Sequence, residues 1–264
     1  MHEILLKGNP IGNINGILFD KDGTLINSEE YLFYISKLRI SEAKKRFKQE
    51  GFPLSKIYKI EKLLSKAYGI DGNGVNPNSL LAIASRKDNL ISTATIFCLE
   101  NDDWSKSIEI ANDIFSIANQ KASTLKRNNN LLAGLRSILD QAKRRKIKIG
   151  IISNDTSDGI KIFLRDNHLE KEFNYFWSSD NFPPKPSPDS VKKICRLMDL
   201  DVSECALIGD SNADMKMARD SGIKIALGYT GGWSQLPSLY EHHHLIHHWE
   251  DLNFQDASKI KFQP

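Results

Sequence analysis

The sequence predicts an α/β protein, a doubly wound parallel sheet interrupted by an all-helical insertion. Three observations carry that expectation. Short runs such as Gly16–Phe19, Ile147–Ile152 and Cys205–Ile208 are apolar at consecutive positions, as strands buried on both faces are. In the second half of the chain such runs alternate with amphipathic helical segments. Between about Ser28 and Asn130 the alternation stops and only helix-period patterning remains. At 264 residues the chain is long enough for one large domain or two modest ones at ~150 residues each.

The first strand, Gly16–Phe19, runs straight into the polar turn Asp20-Lys21-Asp22-Gly23-Thr24-Leu25. Tyr31–Glu50, Ser55–Tyr68, Ser79–Leu99 and Trp104–Lys126 then carry apolar residues three and four apart and read as helices; only Ile91–Leu99 is open to a strand reading. Gly69–Asn78 and Asn101–Asp103 are rich in turn formers. After Asn128-Asn129-Asn130, the pattern reads helix Leu131–Lys146, strand Ile147–Ile152, helix Asp158–Asn167 and strand Tyr175–Ser178. Helix Ser187–Leu200 follows, with Ser187 as N-cap and Pro188 at its first position. Strand Cys205–Ile208, helix Asn212–Asp220 stopped by Gly222, and strand Ile223–Leu227 complete the alternation.

Composition narrows the function. With 40% hydrophobic residues, 12 Phe and 4 Trp, the chain can bury a sizeable core, which excludes disorder. Thirty-six basic residues against 33 acidic leave +3, too balanced to argue for a nucleic-acid or membrane-surface partner. The three cysteines, Cys98, Cys195 and Cys205, are widely spaced and form neither a disulfide framework nor a zinc set, which suits a reducing compartment. The apolar runs fall far short of the ~18 residues a membrane span needs. Ile4–Leu6, followed by Lys7, Gly8 and Pro10, is too short for a signal-peptide core. The expectation is a cytoplasmic protein.

In doubly wound sheets ligands bind beyond the carboxyl ends of the strands, and the polar residues of this chain concentrate there. Asp20 and Asp22 follow the first strand, two apart, so an extended chain points them the same way. Paired carboxylates make a hard oxygen site suited to Mg²⁺ and push their pKa values apart, preparing one nucleophile and one proton carrier. Ser153-Asn154 ends the second strand and offers donors to an oxyanion. Asp155, next in line, reads as the start of the following helix. Asp210 ends the third strand as a further metal ligand, with Asp214 one helical turn on. Lys185 sits on the proline-bounded segment Lys185-Pro186-Ser187-Pro188, where its charge could neutralise a phosphoryl group.

Phe19-Asp20-Lys21-Asp22-Gly23-Thr24-Leu25, Ser153-Asn154, Lys185-Pro186 and Gly209-Asp210 with Asp214 resemble, in order, the four motifs of the haloacid dehalogenase superfamily. The pattern is most similar to phosphoglycolate-phosphatase-like hydrolases. The resemblance implies a Rossmann-like core over 1–27 and 131–264, with 28–130 as a helical cap of the first type. It implies that Asp20 attacks phosphorus, that Asp22 protonates the leaving oxygen and then activates water, and that Ser153 and Asn154 hold phosphoryl oxygens. By the same resemblance, Lys185 is expected to steady the nucleophile and the transferring group, and Mg²⁺ to be held by the Asp20 carboxylate, the Asp22 backbone carbonyl and Asp210, with Asp214 in support. The founding dehalogenases lack the second aspartate, so the presence of Asp22 argues against carbon–halogen hydrolysis.

The expected protein is a Mg²⁺-dependent phosphomonoester hydrolase acting on a small phosphorylated metabolite, with phosphoglycolate a family-level candidate, as monomer or homodimer. A β-phosphoglucomutase-like phosphomutase and a phosphonate hydrolase with a Schiff-base lysine in the cap are the alternatives on the same scaffold. A catalytically silent binding protein would need a lost motif residue, and none is lost. Arg86 and Lys87, or the loop Gly69–Gly74, are candidates for substrate choice in the cap, against plain surface charge and a plain turn. Trp104 and the apolar stripe behind it read as cap core. His242-His243-His244-Leu245-Ile246-His247-His248 lacks the spacing of a fixed metal site and reads as an edge strand with flanking turns.

Overall fold

The computed structural model describes residues 1–72, 74–123 and 130–257. It divides into two compact units, Met1–Asn27 with Asn129–Pro264 and Ser28–Asn128. The first unit opens with two antiparallel strands, β1 (His2–Leu6) and β2 (Asn9–Ile14). Sequence patterning misses them: β2 carries Asn9, Pro10, Gly12 and Asn13, and the pair fully buries only Ile4 and Ile14. β3 (Gly16–Phe19) follows, buried at every position as a central strand should be.

The second unit contains α1 (Glu29–Gln49), α2 (Leu54–Tyr68), the two-residue strands β4 (Ile70–Asp71) and β5 (Gly74–Val75), α3 (Leu80–Ile83), α4 (Arg86–Asn101) and α5 (Trp104–Ala122). The single helix expected over Ser79–Leu99 is broken at Ala84–Ser85, because Ser85 turns out of helical geometry and caps α4 by accepting from the Asp88 N–H. Ile91–Leu99 is helical. The Gly69–Gly74 loop closes a β4–β5 pair, with Asn73 outside the described residues. Along α5 the buried face runs through Ile110, Ala111, Ile114, Phe115, Ala118 and Ala122. Trp104, expected in that core, is half-exposed instead: it directly follows the N-cap Asp103, in a first turn open to water. The end of the expected helix after Ser123, and the break at Asn128-Asn129, lie outside the described residues.

The first unit resumes with α6 (Leu135–Arg144), β6 (Lys148–Ile152), α7 (Ser157–Asp166), β7 (Tyr175–Trp177), α8 (Pro188–Leu197), β8 (Cys205–Gly209), α9 (Asn212–Ser221), β9 (Ile225–Tyr229), β10 (His244–Ile246) and β11 (Leu252–Asp256). α6 begins four residues later than the pattern suggests, since Leu131 bridges to Ile26 and Gly134 takes a left-handed conformation at the N-cap. Ser187 does stand at the N-cap of α8 and Pro188 at its first position, and left-handed Gly222 ends α9.

Among the described residues six strands form one parallel sheet in the order β10-β9-β8-β3-β6-β7, and β11-β1-β2 form a separate antiparallel sheet. The period of two divides the core between the faces of the parallel sheet. Ile17, Phe19, Ile149, Ile151, Ala206 and Ile208 pack on one side with α6 and α7 residues such as Leu139 and Phe163. Leu18, Ile152, Cys205 and Leu207 pack on the other with α8 and α9 residues such as Val191 and Met215. No helix among the described residues is long and apolar enough to cross a membrane. Because the chain passes from β3 to β6 on one side and later returns to β8 on the other, β3 lies at the switch point of the sheet. The carboxyl ends of β3, β6 and β8 therefore open on one crevice, the place where such sheets bind ligands.

Candidate active site

Each strand end delivers its polar residue by a local device. The Asp20 N–H donates to the Ile208 carbonyl (2.8 Å), which ties the end of β3 to β8 and buries the Asp20 carboxylate. Gly23 then takes a left-handed conformation (φ 80°). A side chain there would overlap the Asp210 carboxylate and the Trp233 indole, so the turn needs glycine for space as well as for dihedral freedom. At the end of β8, Ser211 and Asp214 form a reciprocal capping box at the start of α9. That box fixes Asp214 in full burial, with its Oδ2 accepting from the Ser211 N–H and Oγ–H (3.1 and 2.5 Å).

Asp20, Asp210 and Asp214 converge, with one carboxylate oxygen from each lying within 4.8 Å of the others. Lys185 enters this group with its ammonium 2.5 Å from Asp20 Oδ1 and 2.5 Å from Asp214 Oδ1. Trp233 Nε1 donates to Asp210 Oδ2 (2.5 Å) and Thr24 Oγ1 to Asp210 Oδ1 (3.3 Å). Three buried carboxylates thus lie together with a single ammonium, which pairs with Asp20 and Asp214. Burial pushes the Asp20 pKa up to about 6; Lys185 works against that rise, and repulsion from Asp214 and Asp22 adds to it. Burial and the charges of Asp20 and Asp214 push Asp210 well above the usual carboxylate range. Burial works against the Lys185 charge, yet the two aspartates outweigh it and raise its pKa. Hard oxygen donors with a deficit of positive charge fit a divalent cation.

The Asp22 carboxylate is not one of the three that converge, although its charge still reaches Asp20. The strand ends at Phe19 and the chain turns, so the two-apart alternation does not bring both carboxylates to the cluster. Both Asp22 oxygens instead contact the Lys21 ammonium (2.9 and 2.7 Å), which also reaches Asp155 Oδ2 (3.1 Å). Burial opposes the Lys21 charge, but Asp22 and Asp155 outweigh it and raise its pKa. Asp155 is not the cap of α7, as its position in sequence suggests. That role falls to Thr156, which accepts from the Gly159 N–H.

Ser153 is buried at the end of β6; its N–H donates to the Trp177 carbonyl and its Oγ accepts from the Asp155 N–H (3.1 Å). Asn154 is adjacent, half-buried. Arg86 and Lys87 lie in the helical unit, exposed in the first turn of α4, with the Arg86 guanidinium 5.7 Å from the Phe115 ring centre. Within the histidine run His244–Ile246 forms β10 at the sheet edge; on either side of it His243 Nδ1 accepts from the Ala226 N–H and His247 Nδ1 meets Thr230 Oγ1. Among the described residues no histidine joins a metal-holding group. Sequence reasoning gave Lys21 no role, although a lysine between two carboxylates is itself a signal. It also missed Trp233, which lies in the irregular segment after β9, a helix and a strand beyond Asp210, with no spacing that would link the two.

The parallel-sheet core carries a helical insertion after β3 and, at its switch point, a carboxylate–lysine cluster whose chemistry defines a hydrolase acting on phosphate esters. Residues 14–222 match the family model described as haloacid dehalogenase-like hydrolase, and the chain belongs to that family. It is 26% identical over 116 residues to the pyrophosphatase PpaX of Bacillus velezensis, covering 43% of this chain and 54% of that protein. It is 29% identical over 105 residues to the phosphoglycolate phosphatase of Aquifex aeolicus, covering 38% of this chain and 49% of that protein. These alignments span about half the length of either relative. The fold is shared with a solved structure described as a predicted phosphoglycolate phosphatase from Haemophilus somnus, at a TM-score of 0.60 and 16% identity over 86% of this chain and 90% of that one.

Proposed function

We propose that this protein is a Mg²⁺-dependent phosphomonoester hydrolase that works through an aspartyl phosphate on Asp20 and acts on a small phosphorylated metabolite. The observation that carries this reading is the buried cluster of Asp20, Asp210 and Asp214 around Lys185 at the ends of β3 and β8. An Asp20 oxygen attacks phosphorus, the bond from phosphorus to the leaving oxygen breaks, and that oxygen takes a proton from the Asp22 carboxyl. Water deprotonated by Asp22 then attacks the aspartyl phosphate, releasing inorganic phosphate and regenerating the Asp20 carboxylate. Lys185 holds Asp20 in one rotamer and supplies positive charge against the incoming dianion. Ser153 accepts from the Asp155 N–H, so its own hydroxyl proton is free to donate to a phosphoryl oxygen, beside the Asn154 amide. The residues that would hold Mg²⁺ are Asp20 and Asp210, with the Asp22 backbone carbonyl in the same role and Asp214 acting in support, chiefly by anchoring Lys185. When bound, the cation offsets the repulsion between phosphate and carboxylates.

Phosphoglycolate and pyrophosphate head the substrate panel, because relatives are named a phosphoglycolate phosphatase and a pyrophosphatase. Arg86 and Lys87 remain the proposed determinants of substrate choice. The test is turnover of p-nitrophenyl phosphate with and without EDTA, followed by kcat/KM across a panel of phosphorylated metabolites. Turnover that EDTA stops and Mg²⁺ restores is the expected result. Turnover indifferent to EDTA, or none with any phosphate ester, overturns the reading.

A further inference from the structure

The proposed mechanism leaves Lys21 and Asp155 without a task, yet both are held in place with care. Lys21 is almost fully buried, its ammonium 5.9 Å from the Phe163 ring centre, which is unusual for a lysine. It grips both oxygens of Asp22 and one of Asp155. Asp155 is fixed in turn: its Oδ1 accepts from the Thr156 N–H (2.7 Å) at the positive end of α7. A side chain at Gly159 in the first turn of α7 would overlap the Asp155 carboxylate, so the helix leaves room for it. Gly159, Asp155, Lys21 and Asp22 form a continuous chain of contacts from α7 to the proton carrier.

We propose that Lys21, anchored by Asp155, is a positioning residue that fixes the Asp22 carboxyl for protonation of the leaving oxygen. This rests on the hydrolase reading above. Asp22 stands on a turn, about one-third exposed, where a carboxylate would otherwise sample several rotamers. Proton transfer in the transition state demands hydrogen-bond reach and direction, and small misplacements are costly. As the Asp20–phosphorus bond forms and the bond to the leaving oxygen breaks, the proton passes from Asp22 to that oxygen. The carboxylate left behind stays paired with the Lys21 ammonium. A purely structural ion pair would make no distinction between leaving groups.

The experiment compares kcat/KM for p-nitrophenyl phosphate, whose phenolate departs without a proton, with kcat/KM for phenyl phosphate, which needs one. In Lys21→Met, phenyl phosphate should lose at least about ten-fold more than p-nitrophenyl phosphate, in the direction of Asp22→Asn. Asp155→Asn and Gly159→Ala should move the same ratio in the same direction by about three-fold each, and Lys21→Arg should restore part of it. Equal losses on both substrates in Lys21→Met and Asp155→Asn, or no loss on either, overturn the proposal. Should Lys21→Met fail to fold by circular dichroism, the Asp155→Asn and Gly159→Ala ratios decide. Asp20→Asn is the separate control: turnover by that variant would overturn the hydrolase reading itself.

Discussion

Two clusters of charge stand side by side at the carboxyl end of the sheet, and they are balanced differently. In one, Asp20 and Asp214 pair with the Lys185 ammonium and Asp210 lies beside them, all nearly completely buried. In the other, Asp22 and Asp155 share Lys21, with both carboxylates about one-third exposed to water. The first holds one more carboxylate and has less solvent to stabilise it, and the pKa values of Asp20 and Asp210 rise accordingly. Solvent and a central ammonium relieve the second. The contrast assigns different work to each: the first is built to receive a cation and an electrophile, the second to hold a side chain in one direction.

The largest test of that division is Asp20→Asn. The amide is isosteric but far less nucleophilic, so kcat should fall about 1,000-fold or more while circular dichroism stays native. Near-native turnover would mean that the first cluster is not where the reaction begins. Next comes Asp210→Asn, which takes a charge from the cation's donor set. Mg²⁺ affinity by isothermal titration should weaken by about 100-fold, with Asp22→Asn changing it far less because only its backbone carbonyl is a proposed ligand. If the two variants weakened Mg²⁺ equally, the two clusters would not be separate in function. Trp233→Phe is the milder version. It keeps the ring and removes the N–H that orients Asp210 Oδ2, and about ten-fold weaker Mg²⁺ binding is expected. The same titration with unchanged affinity would reduce that hydrogen bond to a structural one.

Much of this architecture was legible from sequence. Consecutive apolar residues marked β3, β6 and β8, because parallel strands covered on both faces show no alternation. The residues just after those strands then fell where such sheets bind ligands. The reading was weaker wherever geometry depends on the chain leaving regular structure. Asp20 and Asp22 look like one pair by spacing, but the turn after Phe19 sends Asp22 to Lys21. Asp155 looks like a cap, but Thr156 has the hydroxyl in the better place. Trp233 approaches Asp210 only because Gly23 leaves space for both, and no periodicity records that. β1 and β2 bury too few apolar residues to announce themselves.

The smallest effect sharpens the comparison through stability and needs no substrate. Asp20 has a folded pKa of about 6, above its ordinary 3.8, so between those values the folded chain holds a proton that the unfolded chain has released. Without metal, this group therefore lowers stability as pH rises from about 4 to 6, and the whole cost is present above pH 6. Asp20→Asn carries no such charge, and Lys185 keeps its contact with Asp214. In EDTA at pH 7 the variant should be more stable than the native chain by about 1–3 kcal/mol, with the gap closing toward pH 4. At this chain length that is a Tm difference of about 2–4 °C per kcal/mol. Mg²⁺ should shrink or reverse the gap by stabilising the native chain. Asp155→Asn should behave in the opposite way at pH 7, losing stability with or without metal, because it leaves the buried Lys21 with one carboxylate instead of two. Thermal melts of the three proteins across pH check both signs. A native chain more stable than Asp20→Asn in EDTA at pH 7 would mean that the first cluster is already balanced without a cation.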